Sequence, residues 1–156
     1  MLKECSAAQL QAAHKFFNNT ISCFVEDDST FVPREEMYSV AQQIAHTAFT
    51  IDWFLTGAFR KEGFDLDFAE ADRRVRQVTS LKEAKEILVN SFAKAVQLVN
   101  SCAEDEWEQK ISPGPIMGGH PRSGIIGAII EHSAHHRGSL AVYARLLGKT
   151  PKMPYS

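Results

Sequence analysis

Apolar residues recur every three or four positions along four stretches of this 156-residue chain, and this spacing constrains the fold more than any other feature. Coiled as an α-helix, each stretch presents one apolar stripe that another helix has to cover. No stretch shows the sustained alternation of apolar and polar residues that is typical of a strand, so we predict no β-sheet. The predicted fold class is all-α, with the four stretches packed as a four-helix bundle.

Local signals at the ends of these stretches predict the helix boundaries. Three stretches begin with a capping box, in which a Ser side chain caps the first turn and a Gln or Glu three residues later binds back. The boxes are Ser6 with Gln9, Ser39 with Gln42 and Ser80 with Glu83, which predicts helices over 6–25, 39–60 and 80–101. The fourth helix is predicted from about Ser123 to Gly148, a suitable left-handed C-cap with Pro151 just beyond it.

Two of the predicted connections are long. The connection between the second and third helices covers 61–79, where 68–76 is predicted to form a short extra helix, and the Pro- and Gly-rich connection between the third and fourth covers 103–122. Long loops in a small bundle are typically lids, site walls or crossovers. With no internal repeat and no low-complexity tract, residues 1–156 are predicted to form a single domain.

Charge and cysteine content exclude several classes of function. The chain has 17 Lys and Arg against 19 Asp and Glu, without the basic helix face that binds phosphate backbones, so no nucleic-acid partner is expected. It shows neither a signal peptide nor a long uncharged apolar run, which predicts a cytoplasmic protein with no membrane partner. Cys5, Cys23 and Cys102 are widely spaced, so neither a disulfide framework nor a thiolate metal site is indicated.

Two histidines fall on the predicted inward stripe of the fourth helix. His132 and His136 are one turn apart, close enough for both imidazoles to reach one divalent ion. Such a pair in a core needs partners for its nitrogens, which a shared metal or neighbouring protein groups would supply. The segment lacks the Glu of the H-E-x-x-H protease motif, and His135 is predicted on the wetter flank of the helix.

A catalytic metal site usually has a third protein ligand and one open position. The candidates for the third ligand are His46 in the second helix, His14 in the first, His120 in the Gly-rich loop and carboxylates such as Asp52. Helical periodicity places both His46 and His14 close to inward stripes. The spacing therefore leaves the third ligand open.

Two segments carry a resemblance to a known family. They are SVAQQIAHTAFTIDWFL in the second helix and EHSAHHRGSLAVYARLLGKTPKMPY near the C-terminus. Through these segments the chain resembles the DinB-like family of damage-inducible, metal-dependent bundle proteins, which is distinct from the like-named DNA polymerase. The resemblance implies a metal triad of His46, His132 and His136, a fourth position for water or substrate, and a homodimer.

The same resemblance implies an activity. DinB-like relatives include transferases that use low-molecular-weight thiols such as bacillithiol, mycothiol or glutathione, so the leading hypothesis is a thiol S-transferase with zinc or nickel as cofactor. Its partners would be a small thiol and an electrophile, held in a pocket walled by Phe49, Trp53 and Tyr143. The alternatives are a metal-dependent hydrolase, a non-catalytic dimeric stress protein that binds metal or an apolar ligand, and a helical bundle with no metal site.

Overall fold

The computed structural model describes residues 2–156 and contains six α-helices there. They are α1 (Leu2–Ile21), α2 (Val40–Gly57), α3 (Phe68–Arg76), α4 (Leu81–Ser101), α5 (Glu104–Glu108) and α6 (Gly124–Leu146). No strand occurs in residues 2–156, where the β-type pairing is limited to an isolated bridge between Lys110 and Pro121. The predicted all-α class is confirmed, and Met1 of the predicted domain lies outside the described residues.

The four long helices form a bundle in which each helix packs against two others. α2 packs against α4 and α6, and α1 packs against the same two helices. α1 therefore lies diagonally across the bundle from α2, and α4 lies diagonally from α6. The chain therefore crosses the bundle diagonally from α1 to α2 and again from α4 to α6. Each crossing needs a long connection, and the connection between α4 and α6, residues 102–123, contains α5. The pairing that matters for the site is α2 with α6, which brings the second and fourth predicted helices side by side.

Aliphatic and aromatic side chains from all four long helices fill the centre of the bundle. The largest fully buried ones include Leu10, Phe17, Ile44, Ile51, Leu88, Phe92, Ile125, Ile129 and Leu140. Every helix within residues 2–156 is too short or too polar to cross a bilayer.

The predicted boundaries of the first helix are wrong at both ends. α1 begins by Leu2, so Ser6 lies inside the helix rather than at its N-cap. The residues before Ser6 include no Pro or Gly that would stop a helix, and the helix simply continues through them. At the other end α1 stops at Ile21 rather than near Val25, because Val25 is extended and its N–H donates to the Asp28 carboxylate at 2.8 Å.

The other predicted boundaries agree closely with the structure. Ser39 Oγ accepts from the Gln42 N–H, and Gln42 Oε1 accepts from the Ser39 N–H, which is the predicted capping box at α2. α2 ends at Gly57, a few residues before the predicted Arg60. α3 occupies the predicted 68–76.

The N-terminus of α4 has a cap that the sequence did not reveal. Ser80 Oγ accepts from the Glu83 N–H as predicted, at 3.2 Å, but the Glu83 carboxylate does not bind back to the Ser80 N–H, so only half of the predicted capping box forms. The N–H groups of Leu81 and Lys82 donate to the carboxylate of Glu26, at 2.9 and 3.0 Å. Glu26 lies in a short 3-10 helix after α1, so this cap also fixes the loop that follows α1.

α6 ends in the predicted glycine cap. Gly148 has φ +73°, its N–H donates to the Arg145 carbonyl, and the Lys149 N–H donates to the Ala144 carbonyl. These two bonds form a Schellman motif, which satisfies carbonyl groups left free at a helix end. At the other end, Ser123 makes no side-chain capping bond.

Candidate metal centre

Three histidine side chains converge between α2 and α6. His46 projects from α2, and His132 and His136 project from successive turns of α6. One ring nitrogen of each lies within 4.8 Å of one ring nitrogen of each of the others. The Nε2 atoms of His132 and His136 are 3.1 Å apart, and the His46 ring centroid lies 5.2 and 4.7 Å from those of His132 and His136. The predicted pair on one helix and one histidine of its neighbour therefore form a single cluster.

The other candidate ligands lie elsewhere. His14 stacks on Phe92 between α1 and α4, with ring centroids 4.7 Å apart. His120 is exposed in the loop before α6, and Asp52 forms an ion pair with Lys94 at 2.9 Å. His135 is exposed on the outer flank of α6, although its ring contacts that of His136. Among the described residues, the three converging histidines are the one group of metal-binding side chain types whose ligand atoms come this close together.

Burial keeps the three imidazoles neutral near pH 7. Loss of solvent, with a smaller contribution from the charges of neighbouring histidines, lowers the pKa of His132 to about 4 and that of His136 to about 3. The pKa of His46 is also lowered, chiefly by burial. A neutral imidazole keeps a free lone pair on one nitrogen, which is the form that binds metal ions.

Two observations test whether these residues fit a metal ion. First, His132 Nδ1 is buried with no hydrogen-bond partner among the described residues, so the ring's contact with His136 alone does not satisfy it. Second, the possible metal ligands are three imidazole nitrogens. Those of His132 and His136 lie 3.1 Å apart, and all three lie within 4.8 Å of one another. Zinc binds imidazole nitrogens at about 2.0–2.1 Å, so small side-chain rotations would bring all three to one ion. The residues fit a divalent metal.

A cavity of about 330 Å³ adjoins the cluster and is lined in part by His46 and His132. Much of its wall is aromatic, from Phe49, Trp53 and Phe54 of α2 and Phe68 of α3. Of the predicted pocket residues, the structure thus places Phe49 and Trp53 in this wall. Tyr143 is not among the lining residues; its side chain is buried in the bundle, where its hydroxyl contacts Gln43.

The charged residues of the cavity wall other than histidine come from the loop before α3 and from α3 itself. The Trp53 Nε1–H donates to the Asp65 backbone carbonyl at 2.8 Å, which ties this loop to α2. Glu70 binds Arg73 through both carboxylate oxygens, at 2.7 and 2.8 Å. The Arg74 guanidinium lies 4.8 Å from the centre of the Phe49 ring. α3 therefore closes one side of a cavity whose opposite side contains two of the clustered histidines.

Comparison with known proteins identifies the family. A family model described as the DinB superfamily matches residues 1–140. The chain belongs to the DinB superfamily. A search of curated protein sequences finds no significant match for this DinB-superfamily chain.

A comparison with solved structures shows the fold of this DinB-superfamily chain, and one of the matches is informative. It is YfiT from Bacillus subtilis, described as a probable metal-dependent hydrolase with an unusual four-helix bundle topology. The match has a TM-score of 0.72 and 12% sequence identity, and it covers 95% of this chain and 89% of YfiT. At this identity the likeness establishes the four-helix bundle.

Sequence reasoning missed one part of this site and left another open. It did not single out Gln43, whose Oε1 lies 2.7 Å from His136 Nδ1. For the connection 61–79, which contains α3, it offered a site wall only as one of three possible roles, and the structure places the loop before α3 and α3 itself in the cavity wall. Gln43 lies three residues before His46, on nearly the same face of α2, and that spacing was the available signal.

Proposed function

We propose that His46, His132 and His136 bind one divalent metal ion, zinc or nickel, and that this DinB-superfamily chain is a metal-dependent enzyme. The observation that carries the proposal is the convergence of three partly buried, neutral imidazoles within 4.8 Å beside a cavity large enough for a small substrate. When bound, an ion held by three neutral ligands acidifies a thiol or a water molecule, and a thiol loses its proton outright.

The reaction we propose is transfer of a low-molecular-weight thiol to an electrophile. In this reaction the sulfur forms a bond to the electrophilic carbon, the leaving group departs with its electron pair, and the thiol proton passes to solvent. The cavity supports this assignment, because the three carboxylates in its wall are already engaged. Asp65 accepts from the Asp67 N–H, Asp67 caps α3, and Glu70 binds Arg73. A thiol is a much stronger acid than water, so a metal-bound thiol depends less on a carboxylate base than metal-bound water does.

The aromatic wall indicates the kind of electrophile. Phe49, Trp53 and Phe68 offer an apolar surface next to His46 and His132. We expect this surface to hold an apolar or aromatic body, with its reactive carbon directed towards the histidine cluster. Trp53 is held in this wall by ring contacts with Phe54, Phe64 and Phe68.

Metal-assisted hydrolysis is the second candidate. It is favoured by the structural match to YfiT, whose description as a probable metal-dependent hydrolase applies to that protein. Here a water molecule would replace the thiol, and an ester or amide would occupy the same cavity. Glu70 is the carboxylate of α3 that lines the cavity, and it would have to leave Arg73 to serve as a base.

The experiment begins with metal analysis of protein purified without an affinity tag, followed by loading with zinc or nickel. We expect one equivalent of metal and metal-dependent consumption of glutathione or cysteine with monochlorobimane as electrophile. Trp53→Ala should raise KM for the electrophile, while His46→Ala should abolish both metal and activity. Val89→Ala, at an exposed site on α4 away from this cavity, is the control.

The other results separate the alternatives. Bound metal with cleavage of an activated aryl ester, but no thiol consumption, would favour hydrolysis. Bound metal with neither reaction would favour a non-catalytic binding protein. No metal at stoichiometric level, even after loading, would refute the proposal. Homodimerisation stays a prediction, which sedimentation equilibrium would test.

A further inference from the structure

A chain of buried hydrogen bonds leads away from His136 into the bundle. His136 Nδ1 lies 2.7 Å from Gln43 Oε1, and Gln43 Nε2 donates to the Tyr143 hydroxyl at 3.2 Å. The Tyr143 hydroxyl in turn donates to the backbone carbonyl of Tyr38 at 3.0 Å. The three side chains in the chain are at most 9% exposed. The bonds join α2, α6 and the residue before the α2 cap.

The far end of the chain fixes the direction of every hydrogen bond in it. The Tyr38 carbonyl can only accept a hydrogen bond, so the single O–H proton of Tyr143 must be donated to it. The Tyr143 oxygen is then left as an acceptor, and the Gln43 group that faces it must be the NH₂. The amide oxygen of Gln43 therefore faces His136. Because that oxygen can only accept, the proton of His136 has to be on Nδ1.

The reverse arrangement leaves two acceptors facing each other. If the Gln43 amide were flipped, its oxygen and the Tyr38 carbonyl would both need the one proton of Tyr143. One of them would be left without a protein donor in a largely buried network, which native proteins avoid. His136 Nδ1 would then have to accept, which moves its proton to Nε2. That proton would point towards His132 Nε2, 3.1 Å away, and would remove the lone pair from the centre of the cluster.

We propose that Gln43, oriented by Tyr143, is a positioning residue that holds His136 as the Nδ1–H tautomer, with the Nε2 lone pair directed at the histidine cluster. The tautomer is a property of the metal-free protein, whereas its consequence for metal affinity rests on the proposed function. Groups that orient a metal-binding histidine typically change metal affinity 10–100-fold when they are removed. Tyr143, absent from the wall of the cavity, thus acts on the site through Gln43.

The direct test is the tautomer of His136 in the metal-free protein, read from two-bond ¹H–¹⁵N correlations of its ring. We expect the Nδ1–H form in the wild type. In Gln43→Leu, which has no acceptor, and in Tyr143→Phe, which has no proton to orient the amide, we expect this form to lose its dominance. Gln43→Glu loses the donor to the Tyr143 hydroxyl but retains an acceptor at His136, so His136 should again carry a proton on Nδ1. The Nε2–H form in the wild type, or an unchanged tautomer in both Gln43→Leu and Tyr143→Phe, would overturn the proposal.

Zinc affinity, measured by competition with a chromophoric chelator, provides the second readout. Gln43→Leu should weaken binding by about 10–100-fold, and Gln43→Glu should recover most of the loss. Thr47→Val is the matched control, because Thr47 is buried one turn along α2 and its hydroxyl binds only the Gln43 backbone carbonyl at 2.9 Å. We expect that variant to keep the wild-type affinity within about twofold. Equal weakening in Thr47→Val and Gln43→Leu would assign the effect to packing and overturn the positioning role.

The two readouts separate this inference from the function on which it bears. Nδ1–H in the metal-free protein without zinc binding would support the positioning role of Gln43 and refute the metal site. Zinc binding by a protein whose metal-free His136 is the Nε2–H form would support the metal site and refute the positioning role of Gln43. If Gln43→Leu fails to fold, the wild-type tautomer and the more conservative Tyr143→Phe still decide the question.

Discussion

His132 and His136 face each other across one turn of α6, with their Nε2 atoms 3.1 Å apart. Two neutral imidazoles at this distance share at most one proton, so they form one hydrogen bond between them and leave other ring nitrogens to find partners. His132 Nδ1 has found none among the described residues. Their mutual hydrogen bond therefore does not account for both rings, whereas a divalent ion between them would use both Nε2 lone pairs, with the proton of each ring on Nδ1.

Replacing His132 or His46 by Ala should abolish tight zinc binding and leave the helical content nearly unchanged. The reason is that the apolar stripes of the four long helices hold the bundle without the ion. Isothermal titration with zinc and far-ultraviolet circular dichroism would measure the two effects. His14→Ala, at a histidine stacked on Phe92 outside the cluster, should bind zinc like the wild type. Helicity lost together with the metal would instead make the ion structural.

Ser39→Ala and Ser80→Ala should each lower the free energy of unfolding by about 1 kcal/mol. Each serine accepts a hydrogen bond from the first turn of its helix, at 3.3 and 3.2 Å, and its loss leaves a backbone donor unpaired. Ser123→Ala should change stability by less than about 0.5 kcal/mol, because Ser123 makes no capping bond at α6. Urea denaturation of the three variants would check the order, and an equal cost at Ser123 would contradict it.

Alanine should have opposite effects at two helical glycines. A Cβ at Gly57 would lie 2.2 Å from the ring of the buried Phe64, so Gly57→Ala has to displace that ring and destabilise the fold. A Cβ at Gly127 in α6 meets no atom within 4 Å, and Gly127→Ala should gain up to about 1 kcal/mol from helix propensity. Thermal unfolding should show a lower Tm for the first variant and a higher one for the second. A raised Tm for Gly57→Ala would contradict the prediction and show that the Phe64 ring can move aside at little energetic cost.

The ion pair between Asp28 and Lys149 should make part of the stability depend on pH. Burial on its own raises the pKa of Asp28, but hydrogen bonds from Lys149 and the Val25 N–H, with the Lys149 charge, outweigh it and lower the pKa below its ordinary 3.8. A carboxylate with a lowered pKa stabilises the fold fully above its unfolded pKa, and this contribution is lost as the pH falls through the folded value.

The test compares Lys149→Met with the wild type in urea at several pH values. We expect the difference in unfolding free energy to be constant from neutral pH down to about pH 5 and to shrink below about pH 4. Lys152→Met, at an exposed lysine close by in the chain, should show no such change. A difference that grows on acidification would mean that the sign of the Asp28 shift is wrong.

Features that depend on a few neighbouring residues could be predicted from the sequence. Four such features arise from contacts within one or two helical turns: the Ser39 capping box, the Ser80 cap, the span of α3 and the Gly148 cap. The pairing of His132 with His136 is of the same kind, because helix geometry alone puts residues four apart on one face. The wrongly predicted helix start at Ser6 shows the limit of such signals. A capping box only favours a helix start, and the helix-forming residues before Ser6 extend the helix past it.

Contacts between distant segments could not be read in this way. Spacing left His46, His14, His120 and Asp52 as equal candidates for the third ligand, and the family resemblance, rather than periodicity, favoured His46. In the structure α2 packs against α6, and that contact brings His46 to the histidine pair. The Gln43 and Tyr143 bonds and the Glu26 cap on α4 likewise join residues from different elements. A helical pattern specifies which face of a helix is buried, but the neighbour that this face meets depends on how the whole chain packs.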